Sequence, residues 1–335
     1  MPEIDFVVAW VDGSDPAHVE ARKRFGIESE NTHRGAAADF RFRESGEIYY
    51  LIASILKYAP FARRVYIVTD NQKPTLLDSF AASGLCAPDF LRIVSHDVIF
   101  RDTDAARPTF NARAIEAALW RIPGLSEHFV YFNDDMFLNA PVTAEDFFRD
   151  GKPVIHGTMT KPDKRRLKTR LRILSRRLLG KADDIRPKYR LAQEEGARLA
   201  GVTGKFLLVH HHPHPLRLST AKAFYAARPE VLRNQLAYRF RNVSQYTPAS
   251  LSNHLEKMHH GAIFEAQRLV SYIQFGSTSS QEEFLDTIRK GTTPFGCIQD
   301  MEKLPTELRD KLHAVLGEKF RETLPNYASS VGKIE

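Results

Sequence analysis

Apolar residues in the first half of this chain fall in short runs that close on polar turns. Ile4, Phe6, Val7, Val8, Ala9, Trp10 and Val11 form one run, and Val65, Tyr66, Ile67 and Val68 a second. Leu91, Ile93 and Val94 form a third, and Phe129, Val130, Tyr131 and Phe132 a fourth. Their β-branched and aromatic content predicts strands over 4–11, 64–69, 91–94 and 128–132. Between them, residues 46–58 place Ile48, Leu51, Ile52, Ile55 and Leu56 on one helical face, and 112–120 reads similarly. A turn and a helix start are expected over 141–148. Strands alternating with helices predict an α/β fold, a Rossmann-like, mostly parallel sheet with helices on both faces.

The pattern changes after Gly151. Leu167, Leu171, Leu174 and Leu178 recur at helical spacing within a basic stretch, predicting an amphipathic helix over 164–180 that stops at Gly180. Beyond Ala182 the chain reads as mostly helical, broken by the histidine run at 210–214 and a glycine-rich turn at 292–296. The expected organisation is an α/β core over 1–150, a basic helical insertion over 151–205, and a helical part over 206–335 that completes the same domain.

Charge sharpens this division. The net charge is +7, yet residues 161–190 hold 13 Lys or Arg against three acids, a local +10. The rest of the chain therefore sums to −3 (7 − 10) and is nearly balanced. A basic amphipathic helix fits either an anionic membrane surface or a surface helix packed on the domain. Nucleic acid is not expected as a partner, because the segment has few aromatics besides Tyr189 to stack on bases. At 43% hydrophobic and 27% charged, the composition is that of a soluble globular protein. Only Cys86 and Cys297 are present, the start lacks a signal-like apolar stretch, and no run is long enough to span a bilayer. The expected location is cytoplasmic, with the inner membrane face as the site any basic helix would dock.

Candidate chemistry gathers where the strands end. The fourth run closes on Asn133, Asp134 and Asp135; the first on Asp12, Gly13, Ser14 and Asp15; the second on Asp70, Asn71 and Gln72. In an open α/β sheet these ends share one rim, where such folds bind ligands. Paired acids there can hold a divalent cation against phosphate oxygens. Arg239 and Arg241 supply groups suited to bidentate phosphate recognition. Four histidines, His210, His211, His212 and His214, follow an apolar run. On an extended segment they point to alternate sides, so one is expected as a general base or phosphate contact rather than all four as a zinc site.

These segments together resemble the Stealth family of sugar-phosphate transferases. The likeness lies in residues 4–16, from Ile4 to the Asp12, Gly13, Ser14, Asp15 and Pro16 turn, and in 43–74, with Gly46 and Glu47 leading a helix and Thr69, Asp70, Asn71 and Gln72 closing a strand. Similar too are Ser95 and His96, Pro108 to Asn111, Leu125 to Phe129, and Asn133 to Phe137. Further on, His211 to Pro215, Tyr238 to Arg241 and Phe295 to Asp300 follow in the family's order. The resemblance implies a GT-A-like fold and transfer of a sugar 1-phosphate from a nucleotide sugar, such as UDP-N-acetylglucosamine, to a glycan hydroxyl, releasing a nucleoside monophosphate. It implies Mg2+ or Mn2+ on Asp134 and Asp135, with Asp300 as a further ligand, and Arg239 and Arg241 as a phosphate clamp. Glu47 or His211 would take the acceptor's proton, while Asp12, Gly13, Asp70 and Asn71 would line the nucleotide site. Tyr49, Ala53 and Gln299 depart from the family pattern. A metal-dependent GT-A glycosyltransferase releasing a nucleoside diphosphate, and a glycan-binding protein without turnover, stay open as alternatives.

Overall fold

The structure, a computed structural model, describes residues 3–27, 45–163, 188–274 and 280–325, together with Lys168, Leu171, Ser175 and Gly276. The basic helix expected over 164–180 lies almost wholly outside the described residues.

Four strands follow the four apolar runs: β1 (Ile4–Ala9), β2 (Ala62–Thr69), β3 (Leu91–Ser95) and β4 (His128–Asn133). They are mutually parallel in the order β3-β2-β1-β4. Further strands are β5 (Met136–Leu138), β6 (Phe148–Arg149), β7 (Lys152–Thr160), β8 (Phe206–Leu208), β9 (His214–Arg217), β10 (Ile263–Ala266), β11 (Val270–Gln274) and β12 (Phe295–Gln299). β9 runs antiparallel along the outer edge of β4 and completes a five-stranded sheet. A second sheet, β11-β12-β5, carries the chain onward from the end of β4. The segment after Pro141 forms a short 3-10 turn at Ala144–Asp146 and then β6.

Strand alternation builds two cores, one on each face of the main sheet. Ile4, Phe6 and Val8 of β1 pack with Ile48, Leu51, Ile52 and Ile55 of the helix Glu47–Tyr58. Val7 points the other way, toward Ala114 and Ala118 of the helix Ala112–Ala118 and Leu251 of the helix Pro248–His259. Each fully buried side chain of the size of Phe6 contributes on the order of 1.5–3 kcal/mol. Asp5 lies on the second face and is fully buried, yet it is paired: Arg63 donates to it from Nε at 2.8 Å, and the Ser126 amide donates at 2.7 Å.

The second half closes both faces. Phe284, Leu285, Ile288, Leu308, Leu312 and Phe320 join the first core, while Leu216, Tyr225, Leu236 and Tyr246 join the second. Helices do dominate beyond residue 182, at Tyr189–Leu199, Leu218–Ala227, Pro229–Leu236, Pro248–His259, Gln281–Lys290 and Thr306–Lys319. Five short strands, β8 to β12, are set between them, and they matter to the site. Among the described residues no helix is long and apolar enough to cross a membrane.

Candidate active site

Register brings the acidic strand ends together. Ala9 pairs with Val68 on one side and Asn133 on the other, so β1, β2 and β4 release their turns side by side. After β1, the Asp12 carboxylate accepts from the amide and hydroxyl of Ser14, at 2.8 and 2.5 Å, which shapes a tight turn at Gly13. The Gln72 side chain grips the Asp12 backbone in both senses, accepting from its amide and donating to its carbonyl, each at 2.9 Å. Past β2, Asp70 lies 3.6 Å from His96. Burial works to raise Asp70, but the His96 hydrogen bond and the charges of His96 and His18 bring it below the usual range. Asn71 takes a left-handed conformation (φ 57°) and is held by Ser95 at 2.6 Å.

Asp134 and Asp135 lie where the chain leaves β4 and turns into β5. Each keeps part of its surface open to the cleft. Crowding on the remaining sides pushes Asp134 up to about 6 and Asp135 up to about 7. Each carboxylate's neighbour adds to this, Glu302 for Asp134 and Asp134 for Asp135, while Arg241 opposes it for both. Among the described residues, Asp135 Oδ1 is buried with no hydrogen-bond partner. An adjacent acid pair with an unsatisfied oxygen fits a hard divalent cation, which is commonly held by one or two carboxylates plus substrate phosphates. The expected third ligand is not drawn in. Among the described residues no three His, Cys, Asp or Glu side chains converge as a metal cage, and Asp300 pairs with Lys303 at 3.1 Å.

The facing wall comes from the second sheet and the histidine run. Tyr272 of β11 and Cys297 of β12 are register partners, so both rise from one face. His211 settles over them, its ring stacked on Tyr272 at 4.2 Å and its Nδ1 3.6 Å from Cys297 Sγ. It does so in a left-handed conformation (φ 46°), unusual for a residue with a side chain. Burial, with some help from His210, draws His211 down to about 4, so it is a neutral imidazole at physiological pH. The other three histidines differ. His210 is exposed, His212 is buried with Nε2 3.0 Å from the Arg268 carbonyl, and His214 is buried against Tyr131. The β12 edge meets the acid turn directly, because the Ile298 amide donates to the Asp135 carbonyl at 2.9 Å.

A loop over 238–242 supplies the cations. Asn111 organises it: its side-chain amide reaches the carbonyls of Tyr238 (2.8 Å) and Phe240 (3.0 Å) and the Gln245 side chain (2.9 Å). The same residue caps the helix Ala112–Ala118 through the Arg113 amide. Phe240 stacks on Phe110 at 5.1 Å. With the loop fixed, the two arginines differ in use. Arg239 covers the Phe25 ring at 4.3 Å and donates to the Arg107 carbonyl. Arg241 has no hydrogen bond or ion pair among the described residues, and its charge acts on Asp134, Asp135 and Glu116 alike.

Two family regions match this chain: Stealth protein CR1, conserved region 1, over residues 2–30, and Stealth protein CR2, conserved region 2, over residues 41–155. The receptor polysaccharide phosphotransferase WefC of Streptococcus gordonii is 34% identical over 257 residues, covering 72% of this chain and 74% of that protein. The chain belongs to the Stealth family. The capsular polysaccharide phosphotransferase WcwK of Streptococcus pneumoniae is 41% identical over 154 residues, 46% of this chain. That match spans less than half of WcwK's own length, at 44%. Among solved structures, the galactosyltransferase LgtC overlaps 99% of this chain and 97% of its own at 10% identity and a TM-score of 0.42. The matched Stealth regions contain the three acidic strand ends and Glu47. His211, Arg241 and Cys297 come from the chain beyond them.

Of the residues singled out in the sequence, Asp134 and Asp135 feel the charge of Arg241, and His211 packs on Cys297 of β12, the strand whose Ile298 amide meets the Asp135 carbonyl. Asp12, Gly13, Asp70 and Asn71 line the neighbouring stretch of the same rim. Glu47 begins its helix and accepts from the Ser45 amide at 2.7 Å. Sequence reasoning gave no role to Tyr272 and Cys297 beneath His211, to Asn111 behind the arginine loop, or to Glu116. The last is pushed up to about 7 by burial despite the Ala249 amide that donates to it. Asn111 had a local signal, a helix-capping residue just before an apolar helix. Cys297 lay in the segment Phe295 to Asp300 that resembles the family, while Tyr272 had no signal, since strand register alone brings it under His211.

Proposed function

We propose that this Stealth protein transfers a sugar 1-phosphate from a nucleotide sugar, of the UDP-N-acetylglucosamine kind, to a hydroxyl of a capsular or exopolysaccharide glycan. The single observation behind it is one grouping of charge: Arg241, with no ion pair among the described residues, acts on two carboxylates that burial pushes up, and a neutral imidazole, His211, packs on the strand that meets the Asp135 turn. The names of the relatives, polysaccharide phosphotransferases, support the same reading.

In this reading the acceptor hydroxyl attacks the phosphorus that bears the sugar. The bond from that phosphorus to the nucleoside monophosphate breaks, and the anomeric bond is untouched. His211 takes the hydroxyl proton, because it is neutral and packs on Cys297 beside the strand that meets the Asp135 turn, whereas Glu47 is turned to the Ser45 amide at the start of its own helix. Arg241 draws charge from the phosphoryl oxygens, and Arg239 braces the loop against Phe25 and Arg107. Asp12, Gly13, Asp70 and Asn71 receive the nucleotide along the rim. Asp134 and Asp135 would hold Mg2+ or Mn2+, which would supply positive charge to offset that of the diphosphate. The basic stretch 164–180, within the segment of local +10, would dock on an anionic membrane face where glycans are assembled.

The test is the nucleotide released from a panel of nucleotide sugars with metal and a glycan acceptor. Monophosphate formed only with acceptor, beside a phosphodiester signal in phosphorus NMR, is the expected result. Diphosphate would replace the reading with ordinary glycosyl transfer. His211→Ala is expected to lose about 10²–10⁴-fold in kcat in folded protein, the usual worth of a positioned base. Glu47→Gln is expected to lose far less; the reverse order would move the base role to Glu47.

A further inference from the structure

Consecutive side chains on an extended segment point to opposite sides. The rings of His210 and His211 nevertheless stand beside each other, 6.4 Å apart and within 29° of parallel. The left-handed backbone at His211 (φ 46°), which residues with side chains disfavour, breaks the alternation. The row continues in both directions. Outward, Tyr189, the first residue of the helix Tyr189–Leu199, lies 6.3 Å from His210. Inward, Tyr272 of β11 lies 4.2 Å from His211. Tyr189 is 43% exposed, His210 is exposed, and His211 and Tyr272 are half-buried, so the row descends from the surface into the wall built by β11 and β12.

Two glutamines close its inner end. The Tyr272 hydroxyl lies 2.6 Å from Gln274 Oε1 and 2.7 Å from Gln299 Oε1. One phenolic hydrogen can serve only one of them, so the other glutamine turns its amide nitrogen to the phenol oxygen. Gln274 and Gln299 are register partners, the first exposed and the second half-buried. Gln299 follows Ile298, whose amide meets the Asp135 carbonyl, and it is a position where this chain departs from the family pattern. The outer part of the row is braced as well. Gln267 donates to the His210 carbonyl at 3.0 Å, and Arg190 is turned to the Lys161 carbonyl at 2.8 Å.

Phenols, neutral imidazoles and amides suit an uncharged ligand with flat C–H faces and many hydroxyls. A pyranose ring has both: its axial hydrogens are drawn to the negative face of an aromatic ring, and its hydroxyls donate to and accept from amides. We infer that Tyr189, His210, His211 and Tyr272, with Gln274 and Gln299 at the inner end, form a binding strip for the acceptor glycan. The strip seats several sugars of the chain and delivers the reacting hydroxyl to His211. The inference rests on the transferase reading above for the identity of its ligand. It accounts for the left-handed backbone at His211, which sets two adjacent rings in one row.

The test is binding of the full chain to an array of oligosaccharides from bacterial capsular and exopolysaccharides, from monosaccharides upward. Oligosaccharides longer than disaccharides are expected to bind more tightly than their monosaccharides. Tyr189→Ala, His210→Ala and Gln274→Ala should each weaken the longer ligands by about 2–10-fold, and His210→Tyr should keep most of the affinity. In turnover assays the same three variants should raise acceptor KM by a similar factor, with kcat retained at saturating acceptor. All three positions are exposed, so their loss leaves the cores intact. No glycan bound by the wild type, or affinities indifferent to all three substitutions, overturns the inference. Weaker binding of uridine monophosphate in Tyr189→Ala would overturn it too, by giving the row to the nucleotide. The transferase reading fails separately: glycan binding that depends on these residues, without release of nucleoside monophosphate, would remove that reading and leave the strip.

Discussion

Asp134 and Asp135 are adjacent in the chain, and in the folded protein each resists ionisation, with values pushed up to about 6 and about 7. An unfolded chain titrates aspartate near 3.9. The folded state therefore holds protons that the unfolded state has lost, and the stability this gives is complete below about pH 4. It is lost as pH rises through 6 and 7. Asp135→Asn should remove much of that loss, raising stability at pH 8 by roughly 1–3 kcal/mol once the open side of the cleft is discounted. A cation that binds only the folded acids stabilises by mass action. Mn2+ should thus raise the wild-type melting temperature more at pH 8 than at pH 5, and barely at all in Asp135→Asn. Equal shifts in both proteins would place the ion elsewhere. His212 and His214, drawn down to about 4 by burial, act in the opposite sense. Their contribution is present above pH 6.5 and lost as pH falls toward 4, so the comparison between wild type and variant, rather than either curve alone, isolates the acid pair.

Elements carry these residues into place, and the loop over 238–242 is the least regular of them. Its order depends on Asn111, whose one amide serves two carbonyls and a glutamine. Asn111→Ala should cost about 1–3 kcal/mol, because those buried acceptors lose their donor. It should also raise donor KM more than Arg239→Ala does, since Arg241 loses its fixed approach to the acids. Equal donor KM in wild type and Asn111→Ala would separate the loop from phosphate binding. The four parallel strands and their acidic ends were legible in sequence because each strand is an apolar run closed by a polar turn, and parallel strands must end on one rim. The strands β8 to β12 were not legible. They span three to five residues each, too short for alternation to stand out from helical patterns around them. The wall they build was hidden with them: Cys297 and His211 are 86 residues apart in the chain. The Tyr49 departure reads differently in three dimensions. Tyr49 is buried and its hydroxyl accepts from the Leu76 amide at 3.2 Å, an interior role for a position that departs from the family pattern.

At the scale of the whole molecule, the two halves of the chain share their cores, their main sheet and their cleft. β4 would be an open edge without β9, and an exposed apolar edge strand invites pairing with other chains. The face under the helix Glu47–Tyr58 would lose Phe284, Leu285, Leu312 and Phe320, and the opposite face would lose Leu216, Tyr225 and Tyr246. At about 1.5–3 kcal/mol for each large side chain, either loss alone is comparable to the roughly 5–15 kcal/mol by which domains are stable, and the two together consume it. A fragment of residues 1–160 should therefore bind a hydrophobic dye and unfold without a cooperative transition, despite containing every strand of the parallel sheet. Co-expression with residues 188–335 should restore a folded complex with the Mn2+-dependent stabilisation of the intact chain, because His211, Arg241 and Cys297 return with the missing core. Cooperative unfolding of 1–160 alone would mean that the acidic rim is a self-sufficient domain and that the second half is an addition to it. The contacts argue for the other relation, in which the rim of acidic strand ends holds its shape only while β11, β12 and the second-half helices are packed against it.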